Sequence, residues 1–124
     1  MVDAGWGRVV TVVSDAGRKG ERMQAIYGAA KAGAMGFMRG LSTEVGKHGV
    51  TANCVALGTM NTGAFAEALV HNPELEQKLA RNYPVPRVGQ PADPAVLVAL
   101  LCSDAAGWIT GQVYPVDGGY VPAL

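Results

Sequence analysis

Apolar residues along the chain follow two rhythms, and the switches between them mark out its elements. Arg8 to Val13, RVVTVV, is β-branched and apolar almost throughout, the pattern of a short strand buried on both faces. Ser14 to Glu21, with Asp15, Gly17 and Gly20, reads as loop. From Gln24 to Lys47 the period changes. Ile26, Ala30, Phe37, Leu41 and Val45 recur at helical spacing, and Gly46 with Gly49 supplies the stop. Thr51 to Val55, TANCV, is a second short strand, and Leu57 to Gly63 a loop.

Two short helices are predicted over Ala64–Val70 and Pro73–Asn82. The second has Asn72 as N-cap, Pro73 at the first helical position, and Glu74 and Glu76 where acidic side chains suit the helix dipole. Tyr83 to Pro91 carries three prolines and should be irregular. Asp93-Pro94 opens another helix by the same cap logic, and its AVLVALLC run is apolar enough to lie against a sheet. Gln112 to Val116 is a third strand, stopped by Asp117-Gly118-Gly119. Strand, helix, strand, helices, strand is an α/β pattern of βαβ units, with a parallel sheet and right-handed crossovers. Three strands leave at least one apolar edge unpaired, which folded proteins normally avoid.

Composition narrows the picture. The 124 residues suffice for one domain and are short for two. With 49% hydrophobic and 16% charged residues, the chain is expected to pack a core rather than stay disordered. Lys plus Arg equals Asp plus Glu at 10 each, so the basic excess of a nucleic-acid binder is missing. The densest basic stretch, Arg18-Lys19-Gly20-Glu21-Arg22, is interrupted by a glutamate and reads as a solvated loop. Cys54 and Cys102, in segments that look buried, have neither CxxC nor His/Cys spacing, so no zinc site or disulfide scaffold is expected. MVDAGWGR has no signal-peptide pattern, and no apolar run is long enough to span a bilayer. The expectation is a cytoplasmic protein with neither membrane nor nucleic-acid partner.

The chemistry concentrates where the long helix begins. Residues four apart share a helix face, so Tyr27 and Lys31 project side by side from its first turns. A phenol ordinarily ionises near pH 10, and an adjacent ammonium favours the phenolate, which is how such a pair becomes an acid/base. Ser14 ends the preceding strand, where side chains of an open α/β sheet face the ligand crevice. Its hydroxyl can hold a carbonyl oxygen while the tyrosine protonates it. Taken singly, each has an ordinary reading: a Tyr/Lys pair on a surface helix, a serine at a turn.

Taken together, Ser14 followed by Tyr27-Gly28-Ala29-Ala30-Lys31 resembles the Ser…Tyr-x-x-x-Lys signature of the short-chain dehydrogenase/reductase family. Asn53-Cys54-Val55-Ala56-Leu57-Gly58-Thr59-Met60-Asn61-Thr62 resembles its N-x-x-x-P-G-x-x-x-T segment, with Leu57 where the family usually has proline. Arg87-Val88-Gly89-Gln90-Pro91-Ala92-Asp93 and Ile109-Thr110-Gly111-Gln112…Val116-Asp117-Gly118-Gly119 resemble its C-terminal blocks. The resemblance implies an NAD(P)-dependent oxidoreductase, a carbonyl reductase or alcohol dehydrogenase acting on a small molecule. Tyr27 would be the proton donor or base, Lys31 would hold the nicotinamide ribose, and Ser14 would orient the substrate oxygen. Gly58, Met60 and Thr62 would lie along the nicotinamide, and Ala64–Tyr83 would form the substrate flap.

The resemblance further implies a homo-oligomer through the helix Gln24–Lys47, whose Gly28, Gly33 and Gly36 leave room for close approach to the sheet and to a mate. It covers the C-terminal half of a doubly wound Rossmann-like sheet. Residues 1–124 are thus expected to be a single partial domain without the dinucleotide-binding N-terminal half, which a separate partner could supply. Gly5-Trp6-Gly7 precedes a strand instead of following one and fails as a dinucleotide fingerprint. The alternative is a non-catalytic, oligomer-forming subunit or scaffold derived from the same family.

Overall fold

The β-branched and small-residue runs become strands β1 (Gly7–Ser14), β2 (Val50–Leu57) and β3 (Val113–Val116). They form a parallel sheet in the order β1-β2-β3, in a computed structural model that describes residues 1–122. The β1–β2 ladder runs without slip from Gly7 opposite Val50 to Ser14 opposite Leu57. Strand β3 pairs from Cys54 opposite Val113 to Leu57 opposite Val116. All three strands therefore finish level, and their C-terminal ends make one edge of the molecule. Around the sheet lie α1 (Ala16–Lys19), α2 (Ala25–Val45), α3 (Gly63–His71), α4 (Pro73–Ala80) and α5 (Ala92–Leu101).

Side chains alternate across the central strand. Ala52, Cys54 and Ala56 of β2 pack with Val13 against Met35 and Met38 of α2. Val55, on the opposite face, packs with Leu101 of α5 and Ala106. Three small residues beneath α2 let the long helix lie close to the strand. The expected burial of both strand faces is met by β2, buried at every position but Leu57. It fails for β1, where Val12 is 49% exposed, because β1 is an edge and neither helix layer covers it fully.

Other departures from expectation have local causes. The loop predicted over Ser14–Glu21 contains the one-turn helix α1, and its Arg18 is not solvated: the guanidinium lies between Asp15 and Asp117. The apolar positions Ile26 and Phe37 point outward, at 89% and 67% exposure, while Gly28, Met35, Met38 and Ser42 face inward. The helix carries two apolar faces, and periodicity cannot say which one meets the sheet. Asn72 caps α4 as expected, its side chain accepting from Leu75 N–H at 3.1 Å. Asp93 does not cap α5; it sits in the first turn and accepts from the Gln90 N–H at 2.7 Å. Cys102 is exposed, just past the end of α5, whereas Cys54 is buried. Among the described residues no helix is long and apolar enough to cross a membrane, and no cluster of three His, Cys, Asp or Glu could hold a metal.

Buried polar groups tie the connections to the sheet. Asn53, fully buried on β2, donates from Nδ2 to the Ile109 carbonyl (2.8 Å) and accepts from the Gln112 N–H (3.1 Å). The Thr110 hydroxyl accepts from Ala52 N–H at 3.0 Å, so the Thr110-Gly111-Gln112 segment is stitched to β2 before β3 begins. At the far end of the sheet, Trp6 lies against the Arg8 guanidinium, 4.9 Å from its ring centroid, and donates to Asp104 at 2.7 Å. On the near side, Arg87 makes a forked pair with Asp93, at 2.6 and 2.8 Å.

Two expectations follow for stability. Replacing Asn53 by Leu strands the Ile109 carbonyl and the Gln112 N–H without partners, a loss of about 2–4 kcal/mol, read as a lower urea midpoint at unchanged m. The fork from Arg87, helped by the Gln90 N–H, lowers the Asp93 carboxyl from its ordinary 3.8 to about 2. A depressed acid stabilises the fold above its unfolded value and loses that contribution as pH falls through its folded one. The difference in melting temperature between the parent and Asp93→Asn is therefore expected to be full near neutral pH and to vanish as pH falls from about 4 to about 2.

Candidate active site

The level ends of β1 and β2 bring two loops side by side. Ser14 is the last residue of β1, and the next N–H, of Asp15, donates to the Leu57 carbonyl at 3.1 Å. The Ser14 hydroxyl oxygen accepts from the Ala16 N–H at 3.2 Å, which starts α1 and fixes the side chain. After Leu57 the chain runs through Gly58, Thr59 and Met60, held by reciprocal bonds to the Arg87–Asp93 segment. The Asn61 N–H donates to the Gly89 carbonyl (2.8 Å) and the Gly89 N–H to the Thr59 carbonyl (3.0 Å).

Helix α2 starts directly over this edge. Gly28 is where it approaches α1 closely: a Cβ there would meet the Ala16 carbonyl oxygen at 2.8 Å. A Cβ on Gly33, Gly36 or Gly40 would meet nothing within 4 Å among the described residues, so of the four glycines of α2 only Gly28 is required by packing there. Tyr27, about half exposed, and Ser14 line one cavity of about 410 Å³, with Gly58, Thr59, Tyr83 and Tyr120 among its other walls. The Lys31 ammonium lies 5.5 Å from the Tyr27 ring centroid and reaches the Val12 carbonyl at 3.5 Å. Met60 lies next door, in a cavity of about 270 Å³ that shares Gly58, Thr59 and Tyr83 with the first. Thr62 lines neither cavity; it immediately precedes α3 and makes no side-chain cap.

Residues without a sequence motif complete the walls. Tyr83, from the proline-rich segment, accepts the Thr59 N–H on its hydroxyl at 2.9 Å and stacks obliquely on Tyr120, centroids 5.0 Å apart. The Lys19 ammonium stands 3.5 Å from the centroid of the Tyr120 ring, a cation–π contact that holds that ring from the other side. The turn after β3 makes this possible. Gly118 and Gly119 both have positive φ (60° and 84°), and a Cβ on Gly119 would meet Pro84 Cγ at 2.9 Å.

Beneath the Ser14 loop lies a charged knot. Arg18 donates to Asp15 at 2.8 Å, to Asp117 at 3.4 Å and to the Val121 carbonyl at 3.2 Å, while Asp117 accepts from Gly119 and Val121 N–H. Asp15 is fully buried, and its second oxygen has no hydrogen-bond partner. Burial pushes its carboxyl above the ordinary 3.8, against the pull of Arg18, with Asp117 adding to the rise. The knot ties the residue after Ser14 to the turn that carries Tyr120. Its sequence signal was the acidic residue in Ser14-Asp15-Ala16-Gly17, which by pattern alone marks only a loop.

This arrangement of elements and side chains has many counterparts. A sequence profile described as enoyl-(acyl carrier protein) reductase matches residues 1–121. The chain is 40% identical over 120 residues to a 3-oxoacyl-(acyl-carrier-protein) reductase of Pseudomonas aeruginosa, covering 96% of this chain and 47% of that one. It is 36% identical over 119 residues to an acetoacetyl-CoA reductase of Allochromatium vinosum, again 96% and 47%. Among solved structures, a 3-oxoacyl-(acyl-carrier protein) reductase from Brucella melitensis superimposes with a TM-score of 0.89 at 31% identity, over 99% of this chain and 45% of that one. ElxO with NADP bound superimposes with a TM-score of 0.93 at 26% identity, over 99% and 50%. The chain spans about half the length of the curated relatives it matches. With the match running through Ser14, the Tyr27–Lys31 helix and both C-terminal blocks, the chain belongs to the short-chain dehydrogenase/reductase family.

Proposed function

We propose that this chain is the catalytic and oligomer-forming half of an NAD(P)-dependent oxidoreductase that interconverts a small-molecule ketone and alcohol. The observation that carries the reading is the convergence of Ser14 and Tyr27 on one cavity, with the Lys31 ammonium beside the tyrosine ring. The donor set fits a nicotinamide nucleotide: an ammonium and a phenol suit ribose hydroxyls. Lys31 and Tyr27 would hold the ribose, and Gly58, which lines the Ser14–Tyr27 cavity, would lie along the nicotinamide; Met60 faces the smaller cavity and Thr62 neither. When bound, the nucleotide supplies or takes up the hydride.

The chain's own residues do the rest. Ser14, its oxygen already fixed by the Ala16 N–H, keeps its hydroxyl proton to donate to the substrate oxygen. Tyr27 gives its phenolic proton to that oxygen in reduction and takes it back in oxidation. Lys31 keeps positive charge near the phenol throughout. The names of the relatives, both reductases of 3-oxoacyl thioesters, favour that substrate class, and Leu79 and Tyr83 are apolar surfaces in a largely polar wall against which a substituent beside the carbonyl could rest.

The outward stripe of α2 supports self-association. Ile26, Ala30, Gly33, Phe37 and Gly40 share one exposed face of the helix, and small residues between two large apolar ones suit a close helix pair. Phe37→Glu is expected to turn an oligomer of the chain into a monomer by light scattering, with its circular dichroism unchanged. A monomeric parent at micromolar concentration overturns the oligomer.

The site itself is tested by titrating NADH and NADPH into the 124-residue chain, followed by the emission of the reduced nicotinamide. Saturable binding is expected, weakened about tenfold or more in the Tyr27→Phe, Lys31→Ala double variant. A folded chain that binds neither nucleotide overturns the reading.

A further inference from the structure

The two cavities at the sheet edge have Gly58, Thr59 and Tyr83 in common. Of these only Tyr83 carries a side chain large enough to be a wall. Its ring is buried, 8% exposed, and fixed on every side that matters. One ring edge rests on two glycine backbones, since a Cβ on Gly58 would meet Cε1 at 3.1 Å and one on Gly118 would meet Cδ1 at 3.5 Å. One face leans on Tyr120, and the hydroxyl is tethered to the Thr59 N–H. Gly118 belongs to the smaller cavity and Tyr120 to the larger, so the ring stands between them.

The two spaces differ in character. The larger holds Ser14 and Tyr27 with Asp15, Glu21 and Gln24, a polar chamber in which a carbonyl could be held. The smaller, behind Tyr83, is walled by Met60, Val85 and Val116, with the Arg87–Asp93 pair at its side. An apolar chain entering the polar chamber by its carbonyl would run toward Tyr83 and stop there. Beyond the ring lies a cleft of about 270 Å³, its lining mostly apolar but with Asp117 besides the Arg87–Asp93 pair, and Tyr83 stands between it and the polar chamber.

We propose that Tyr83 sets substrate length: it ends the pocket after a short acyl chain and holds shut an apolar extension that a smaller side chain would open. The inference rests on the reading of the Ser14–Tyr27 cavity as the carbonyl site. It makes Tyr83 a specificity-determining residue with no part in the chemistry.

The test is a length series of 3-oxoacyl thioesters, from four to ten carbons, bound calorimetrically to the full chain in the presence of NADP. The parent is expected to bind the shortest member best and to lose at least tenfold by eight carbons. Tyr83→Ala, and the milder Tyr83→Leu in case the alanine variant does not fold, should bind the eight- and ten-carbon esters at least tenfold more tightly than the parent does. Tyr83→Phe, which keeps the ring, should retain the short-chain preference. Adding Val85→Phe to Tyr83→Leu refills the smaller cavity and should abolish the gain, which general loosening of the fold would not do. A parent that binds the short ester while the Tyr83→Leu variant shows the same length profile overturns this inference alone. Failure of every ester to bind the folded parent and both folded variants overturns the carbonyl site, and the length limit falls with it.

Discussion

The unslipped parallel ladder between β1 and β2 is the constraint on which the site depends. A parallel pair with one strand buried on both faces tolerates no shift of register, because a single step would turn Ala52, Cys54 and Ala56 away from α2 and present Val55 to it. Held there, the two strands end at Ser14 and Leu57 side by side. Everything chemical follows from that coincidence: the serine at one strand end, the glycine-led loop at the other, and α2 crossing above with its tyrosine and lysine.

A ladder positions strand ends, and it leaves the loops beyond them free. Here they are held by polar groups that burial makes intolerant of separation. Asn53 fixes the approach to β3, the Tyr83 hydroxyl fixes the start of the Gly58–Thr62 loop, and Arg18 joins Asp15 to Asp117 beneath the serine. A buried donor or acceptor without its partner costs more than the bond itself contributes. The connections around the cavity are therefore specified almost as firmly as the sheet, although the short helix α1 is the one piece of regular structure among the three. Among the described residues three buried side-chain oxygens have no partner, on Asp15, Thr51 and Asn61, and at Asp15 burial also raises the carboxyl against its neighbouring guanidinium.

How much of this could be read from residues alone divides along the same line. Strand runs such as RVVTVV and TANCV, the helix after Gln24 and the Asn72 cap are local signals, and the elements stand where those signals put them. The gathering of Ser14, Tyr27 and Lys31 was legible too, because strand end and first helical turn are positions set by topology. The facing of α2 was not, since Ile26 and Phe37 obey the same period as Met35 and Met38 and differ only in which surface the sheet occupies. Nor were α1, whose Arg18 meets the distant Asp117, the exposure of Cys102 just past the end of α5, or the place of Asp93 in the first turn instead of at the cap. Tyr83 is the sharpest case. It lies among prolines, in a stretch without period, and its place as a wall exists only because Gly58 and the Gly118–Tyr120 turn come to it from two distant segments.

The aromatic residues are sorted by position in a way that gives the molecule two separate optical signals. Trp6 and Trp108 flank the Arg8 and Gly107 region at the start of the sheet, while Tyr27, Tyr83 and Tyr120 surround the cavity at its finish. Indole emission reports on one end of the protein, and three of the four tyrosines contribute near-ultraviolet dichroism from the other, the fourth, Tyr114, packing from β3 on the Val55–Leu101 cluster. A substitution that loosens only the cavity would dim the second signal in part and spare the Trp6 emission, which reports on the Arg8–Asp104 contacts at the opposite end.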